Sequence, residues 1–255
     1  SQSNFYHYYP LRFPVIGYLE QVERTTKEQI KAYYKRHYVP SNMVLVVGGD
    51  IDIETIKLYI KSTFGKVAKR ARPVTPVFNE PPPLQARHQT FEVETSISYL
   101  SMRFPTVRFD HPDLYPLDLL AYVLGEGEQS ILHQRLVEED QLAYSVSVSS
   151  YTPLETTGFF DIIVEYNVAN KEALMAAIND VLQDLKKGAP SRNAVDRAKK
   201  QKISEEILQL GTIESRVSRV ALSMLYSHQP HYFDYYAHQF RGVSRDDLRR
   251  VTRDY

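Results

Sequence analysis

A catalytic metal in this protein would need histidine and carboxylate ligands, because the chain has eight histidines and no cysteine. None of them forms His-x-x-x-His or His-x-x-Glu-His, the spacings that place two ligands on one helix face with a catalytic acid beside them. His228 and His231 lie three residues apart, but Pro230 between them breaks helical presentation. We interpret both as loop residues, with metal ligation as the less favoured alternative.

Other catalytic patterns are also missing. The sequence has no Walker loop and no Gly-x-Ser-x-Gly. The "GEGEQS" segment follows a predicted helix rather than a strand and ends in Ser130, so it does not fit a dinucleotide fingerprint. The carboxylates at Glu126, Glu128 and 138–140 lie in a turn and at an exposed helix end, where solvation is the expected state. The residues alone therefore predict no catalytic constellation.

The charge balance argues against nucleic acid as a partner, because Lys+Arg and Asp+Glu both number 31. The basic "KRAR" cluster has no aromatic residues between its charges and is interpreted as a solvated linker face. No apolar run approaches the ~18 residues needed to span a bilayer, so no membrane span is expected. The absence of cysteine excludes disulfides, thiolate zinc sites and cysteine nucleophiles.

Hydrophobic periodicity and capping residues predict the elements that would have to position any site. Helices are predicted at 26–37, from about 53 to a stop at 65, at 111–125, at 130–140 and at 170–187. Two further helices are predicted, one from the N-cap Ser191 to about 226 with a break near 211 and one from the N-cap Ser244 onward. Alternation predicts strands at 43–47, at 91–95 with the apolar stretch after it, and in an antiparallel hairpin at 142–168. Residues 1–20 are expected to be extended, with "PVIGY" a short strand or loop against a core. Strands followed by long helices predict an α+β fold, an antiparallel-rich sheet with helices packed on one face.

An internal repeat and a linker suggest two domains. With an offset of 218, residues 26–31 align with residues 244–249 in the order cap, base, acid, polar, aliphatic, base. Residues 66–84 carry five prolines and form the best linker in the chain. We therefore expect residues 1–65 to be the C-terminal remnant of a first domain. Residues 85–255 are expected to form a second domain that is truncated at its C-terminus.

Two long segments resemble one family, the insulinase/pitrilysin-type zinc metallopeptidases, which include mitochondrial processing peptidase and inactive relatives. "PVIGYLEQVERTTKEQIKAYYKRHYVPSNMVLVVGGDID" resembles the end of the family's first domain. "HPDLYPLDLLAYVLGEGEQSILHQRLVEEDQLAYSVSVSS" resembles the first helices and strand of its second. The similarity covers essentially all 255 residues. It implies tandem metallopeptidase-like α/β sandwich domains and a protease of the inverzincin type.

The resemblance also implies where the family's functional residues lie. Its His-x-x-Glu-His motif and third zinc ligand, a glutamate, belong to the first domain upstream of the stretch matching residues 5–18. Zn²⁺ is therefore implied for the parent protein, and none is expected in this chain. Tyr144 matches a tyrosine of the second domain that contacts substrate, although a strand aromatic covering the core is an alternative for it. The matching arginine position is Val137 here, with Arg135 two residues earlier, so Arg135 is the second candidate substrate-binding residue.

These observations predict the non-catalytic portion of a zinc metalloendopeptidase, with the second domain forming the substrate-facing wall of a chamber. One alternative is a catalytically silent partner or scaffold subunit of the same family, and another is an unrelated α+β binding domain. The expected partners are a peptide or protein substrate and a related subunit in a homo- or heterodimer. The sequence predicts no cellular compartment.

Overall fold

The structure is a computed structural model that describes residues 2–74, 76, 78 and 80–255. Ser1 of the first predicted domain and Thr75, Val77 and Asn79 of the predicted linker lie outside the described residues. The α-helices are α1 (Gln2–Phe5), α2 (Leu19–Arg24), α3 (Lys27–His37), α4 (Ile53–Ser62), α5 (Leu114–Gly125), α6 (Ile131–His133), α7 (Lys171–Lys187), α8 (Arg192–Leu208), α9 (Ile213–Ser227), α10 (Tyr232–Gly242) and α11 (Arg245–Asp254). Short 3-10 turns cover Pro10–Arg12, Pro40–Asn42, Phe64–Lys66 and Val168–Asn170, and a π-helical segment covers Gln134–Glu139.

Three antiparallel strands form the sheet: β1 (Ser98–Pro105), β2 (Ala143–Tyr151) and β3 (Phe159–Tyr166), in the order β1-β3-β2. The predicted hairpin is confirmed as the β2-β3 pair. On one face, Val164 of β3 is in register with Leu100 and Val146. On the opposite face, Ile163 is in register with Ser101 and Ser147. The sheet thus has one apolar face and one more polar face, the alternation expected when helices cover only one side.

The core lies between the apolar face of the sheet and the helices. Helix α5 contacts β2, α8, α10 and α11, and α11 also packs on α7. The helical spacing predicts Leu117, Leu120 and Leu124 as core positions, and all three are buried. Because α5 has neighbours on several sides, Leu119 and Val123 are buried as well. The predicted α+β class is confirmed, with helices on one face of an antiparallel sheet.

Helix α5 approaches β2 so closely that its last residue, Gly125, has no room for a side chain. A Cβ atom at Gly125 would lie 2.4 Å from Cγ2 and 2.7 Å from the backbone nitrogen of Val148. Gly125→Ala is therefore expected to lower the free energy of unfolding by about 1–3 kcal/mol, since the clash outweighs a gain in helix propensity of at most about 1 kcal/mol.

The matched control is Gly242→Ala, because Gly242 is the last residue of α10 and its Cβ would meet nothing within 4 Å. Urea denaturation of both variants measures the difference. Equal changes in the two would contradict the close packing of α5 on β2.

The strand predicted at 43–47 is wrong. Of the strand predicted at 91–95 with the apolar stretch after it, only that later stretch forms a strand, as β1. Residues 14–18 are a loop, one of the two alternatives predicted for "PVIGY". A strand needs a neighbour for its backbone hydrogen bonds, and no described strand pairs with residues 43–47 or 91–95. Val15 and Ile16 are 100% and 88% exposed, so the "PVIGY" segment does not pack against a core either. Local alternation predicted an extended backbone, but pairing depends on partners that alternation does not reveal.

The repeat predicted from the offset of 218 recurs in the local structure. Thr26 and Gln29 form a capping box at the start of α3, and Ser244 with Asp247 forms one at the start of α11. The surroundings of the two helices differ. No residue of α3 is buried, whereas α11 buries Leu248 and two further side chains against the core.

Helix α11 is anchored to the start of α5 through a buried carboxylate. Asp113 accepts hydrogen bonds from Nη1 and Nη2 of Arg250 at 3.0 and 2.5 Å, and from the Tyr255 hydroxyl at 2.9 Å. The Arg250 bonds are the main cause that lowers the pKa of Asp113 below its ordinary value of 3.8, against the opposing effect of burial. The ionised carboxylate therefore stabilises the fold above about pH 4, and this contribution is lost as the pH falls through the lowered pKa.

Asp113→Asn is expected to lower the free energy of unfolding at pH 7 by about 1–2 kcal/mol. This is the lower part of the range for hydrogen bonds between charged groups, because solvent screens the half-exposed Arg250. The difference from the unsubstituted chain should shrink as the pH falls below about 4. Denaturation curves at pH 7, 5 and 3 test this. A difference that stays constant down to pH 3 would show that the carboxylate charge is not what anchors α11.

Candidate functional site

Tyr144 lies at an irregularity in β2. Ala143 pairs with Tyr166 and Ser145 pairs with Glu165, so Tyr144 is the extra residue of a β-bulge. Bulges redirect side chains and are frequent next to functional sites. The Tyr144 side chain is 56% exposed, and its hydroxyl has no hydrogen-bond partner among the described residues. The core alternative for Tyr144 thus finds no support, and the hydroxyl is free to bond a ligand.

Arg135 lies on the π-helical segment that precedes β2. Its Nε is 2.9 Å from a carboxylate oxygen of Asp140, and its Nη1 is 3.7 Å from Glu139. The side chain is 44% exposed, so these pairs orient the guanidinium without removing it from solvent. Val137, which occupies the position where the resemblance places an arginine, packs against the core instead.

A tight connection links the segments that carry Arg135 and Tyr144. The backbone N–H of Asp140 donates to the carbonyl of Arg135 at 3.0 Å, and that of Leu142 donates to Leu136 at 2.8 Å. Gln141 between them has a φ of 51°, in the left-handed region that few non-glycine residues adopt. The π-helical segment also contacts β2 directly. The positions of both candidate residues are therefore fixed by backbone structure.

Serine hydroxyls continue this surface along β2. Ser145, Ser147 and Ser149 alternate with Val146 and Val148, whose side chains belong to or pack against the core. The serines therefore face the opposite side of the sheet. Hydroxyl groups both donate and accept hydrogen bonds, which suits backbone groups of a peptide. The surface can bind and orient a ligand, but these residue types supply no general acid or base with a pKa near neutrality.

The histidines lie where loop residues were predicted. His228 ends α9 with a left-handed φ of 58°, and His231 precedes α10 with its Nδ1 2.8 Å from Asp234. Within the described ranges, no three His, Asp or Glu side chains are grouped closely enough to hold a metal ion. These residues do not fit a catalytic zinc, and the absence of tight zinc binding stays a prediction. In the same ranges, no helix is both long and apolar enough to cross a lipid bilayer.

Two buried polar clusters were missed by the sequence reasoning. Asp161 in β3 is 3% exposed and pairs with Arg103 of β1 at 2.9 Å. Asp118 in α5 accepts a hydrogen bond from the Tyr236 hydroxyl, and burial is the main cause that raises the pKa of Asp118. The available signal was a single aspartate inside the apolar runs "FFDIIVEY" and "LDLLAYVL". A buried aspartate requires a partner, but the partner's identity depends on contacts between distant segments.

A family model described as the peptidase M16 inactive domain matches residues 24–202. The chain belongs to this family. Over 98% of its length this M16 chain is 28% identical to the zinc protease PqqE of Helicobacter pylori, and it covers 57% of that protein. It is 24% identical to mitochondrial-processing peptidase subunit beta of Saccharomyces cerevisiae over 75% of its length, covering 44% of that protein. The chain spans about half the length of these curated relatives, and the resemblance to insulinase-type metallopeptidases is confirmed.

Solved structures agree with the M16 fold. The crystal structure of a protease from Helicobacter pylori matches 98% of the chain with a TM-score of 0.88 at 25% identity, and the match covers 61% of that protease. A peptidase M16 inactive domain from Pseudomonas fluorescens matches 98% of the chain with a TM-score of 0.84 at 19% identity, over 60% of its own length. The residues before and after the predicted linker are thus both part of the fold that the chain shares with these structures.

Proposed function

We propose that this chain is the non-catalytic portion of an insulinase-type zinc metallopeptidase and that its second domain forms a wall of the chamber that encloses a peptide. The observation that carries the proposal is the exposed Tyr144 hydroxyl at the β-bulge, free of protein partners among the described residues. In this role the phenol donates a hydrogen bond to a peptide carbonyl oxygen. Arg135, oriented by Asp140, supplies a second donor on the adjoining segment.

The domain boundaries belong to the same proposal. Residues 1–65 are the remnant of a first domain, residues 66–84 the linker, and residues 85–255 the second domain. Large apolar side chains along 30–60 are exposed, including Ile30 at 60%, Leu45 at 52% and Leu58 at 67%. Such a concentration of exposed apolar residues is typical of a surface that packs against another body. Their exposure supports the assignment of this region to a first domain whose core this chain does not contain.

The N-terminal end of the region is attached to the second domain. The Tyr6 side chain is fully buried, and its hydroxyl donates to the Thr157 carbonyl at 2.9 Å. Further along, a Cβ atom at Gly48 would lie 2.4 Å from Val217 of α9, so the extended segment after α3 touches the second domain as well. In our proposal these contacts hold the two domains in a fixed relative position on either side of the peptide.

Zinc and peptide cleavage provide the experimental test of the non-catalytic assignment. Calorimetric titration of zinc into the purified chain is expected to show no tight stoichiometric site, because three converging protein ligands are needed and the described residues offer none. The chain alone should also fail to cleave peptides. One tightly bound zinc per chain, with cleavage abolished by a chelator, would refute the proposal.

The same assay on the protein in its full natural length separates the two functional hypotheses. Chelator-sensitive cleavage would assign the parent to active peptidases, with Zn²⁺ bound outside this chain. Zinc-free, inactive protein that associates with a second related chain would favour the silent partner or scaffold subunit. The likeness to a relative named as a subunit supports a homo- or heterodimer with a related subunit in either case.

A further inference from the structure

A cavity of about 620 Å³ lies between β1, α1 and residues 80–91, which comprise the end of the predicted linker and the segment after it. Its volume falls within the range of small-ligand sites. Phe5, Phe91 and Tyr99 give it aromatic walls, and Arg87 and Arg103 contribute guanidinium groups. Neither Arg135 nor Tyr144 lines it. An apolar pocket with a few convergent polar groups is a typical binding site for a small molecule or a peptide end.

Arg103 is held rigidly at this cavity with one donor unused. Its Nε and Nη2 both lie 2.9 Å from Oδ2 of Asp161, and Oδ1 of the same carboxylate accepts a hydrogen bond from the Ser101 hydroxyl at 2.8 Å. The guanidinium carbon lies 4.6 Å from the centre of the Phe159 ring. The third nitrogen, Nη1, is buried and has no hydrogen-bond partner among the described residues. A buried N–H group without a partner is costly, so the site favours a ligand with a hydrogen-bond acceptor at this position.

Arg87 adds a cation that no carboxylate neutralises. Its Nη1 donates to the backbone carbonyls of Asn4 and Phe5 at 3.2 Å each, and it forms no ion pair within the described part of the chain. Glu80, the carboxylate that lines the cavity, accepts hydrogen bonds from three backbone N–H groups of residues 7–9 at 2.7–2.9 Å. Its oxygens are therefore occupied. The cavity therefore offers guanidinium donors, and the carboxylate on its wall is already hydrogen-bonded.

We propose that this cavity binds a carboxylate carried on an apolar group, with Arg103 and Arg87 as its donors and the aromatic walls covering the apolar part. Hydrogen bonds between guanidinium and carboxylate are stronger than those between neutral groups, which favours an anionic acceptor over an amide carbonyl. Both the free C-terminus of a peptide and a small aromatic acid have this chemistry. The cavity lies on the same face of the sheet as Ser145, Ser147 and Ser149, because Arg103 and Ser149 are both in register with Asp161. Its lining includes neither Tyr144 nor Arg135, so the proposed ligand does not depend on their role in the chamber wall.

Binding of matched ligands to the protein in its full natural length tests the inference. The probes are N-acetyl-Ala-Phe with a free carboxylate, the same dipeptide as its C-terminal amide, and phenylacetate, each titrated by calorimetry. The dipeptide acid is expected to bind with a Kd below roughly 1 mM, and the amide at least about tenfold more weakly. If phenylacetate binds as well, a carboxylate and an aromatic ring are sufficient for binding. If only the dipeptide acid binds, the ligand of the cavity is the C-terminus of a peptide.

Variants locate the binding site. Arg87→Gln and Arg103→Gln are each expected to weaken the dipeptide acid at least about tenfold, while Arg192→Gln, at a side chain that is 85% exposed, leaves it unchanged. If Arg103→Gln does not fold because Asp161 loses its partner, Arg87→Gln and the acid-to-amide comparison decide.

Three results would overturn the inference. They are equal affinity for the acid and the amide, no binding of the acid up to roughly 10 mM by folded protein, and full affinity in the folded Arg87→Gln variant.

Discussion

Asp161→Ala is expected to lower the free energy of unfolding by about 3–5 kcal/mol, among the largest effects of any single substitution in this chain. The substitution leaves the Arg103 guanidinium, whose side chain is 20% exposed, without a counterion, and it removes the acceptor of the Ser101 hydroxyl. Both residues lie on β1, so the loss weakens the β1-β3 contact directly. Chemical denaturation followed by circular dichroism gives the measurement.

Two further variants make the Asp161 prediction specific. Asp196→Ala removes the partner of Arg192 in a pair whose side chains are 55% and 85% exposed, and it should change the stability by no more than about 0.5 kcal/mol. The double variant Arg103→Met/Asp161→Ala should recover part of the loss, because no charge is then left buried alone. A loss in Asp161→Ala no greater than in Asp196→Ala would show that the buried pair does not stabilise the sheet.

Tyr144→Phe is expected to lower kcat/KM for peptide cleavage by the protein in its full natural length. The expected loss is about 1–3 kcal/mol of transition-state stabilisation, roughly 5- to 150-fold, the scale of one hydrogen bond in a desolvated site. The stability should not change, because the Tyr144 hydroxyl has no protein partner among the described residues.

Tyr235→Phe is the matched control for Tyr144→Phe. Tyr235 lies on α10 and is 66% exposed, so removal of its hydroxyl should leave kcat/KM unchanged. If the full-length protein proves inactive, the Kd for a peptide replaces kcat/KM as the measured quantity. Equal rates, or equal Kd values, for the Tyr144→Phe variant and the unsubstituted protein would argue against contact between this residue and the peptide.

The sequence predicted those parts of the fold that local chemistry determines. The N-caps Thr26, Ser191 and Ser244 each accept a hydrogen bond from the backbone at the start of a helix, as predicted. Helix α7 follows its apolar periodicity from end to end. In these cases a short segment contains both the signal and the groups that respond to it.

Features that depend on distant segments could not be predicted in the same way. The alternation at 43–47 matched a strand, but strand formation needs a partner that the described residues do not provide. The ion pair of Arg103 with Asp161 joins residues 58 positions apart. The bulge that exposes Tyr144 arises from the register between β2 and β3. The family resemblance identified Tyr144 as a candidate, and only the fold revealed its exposure.

Photo-crosslinking from position 144 tests the central claim, that this surface faces a bound peptide, most directly. The photoreactive residue p-benzoylphenylalanine replaces Tyr144 in one sample of the full-length protein and Tyr235 in another, and each is irradiated with a labelled peptide. We expect a crosslink from position 144 that excess unlabelled peptide abolishes, and none from position 235. Crosslinking of equal yield from both positions, or none from position 144 while the peptide is bound, would contradict it.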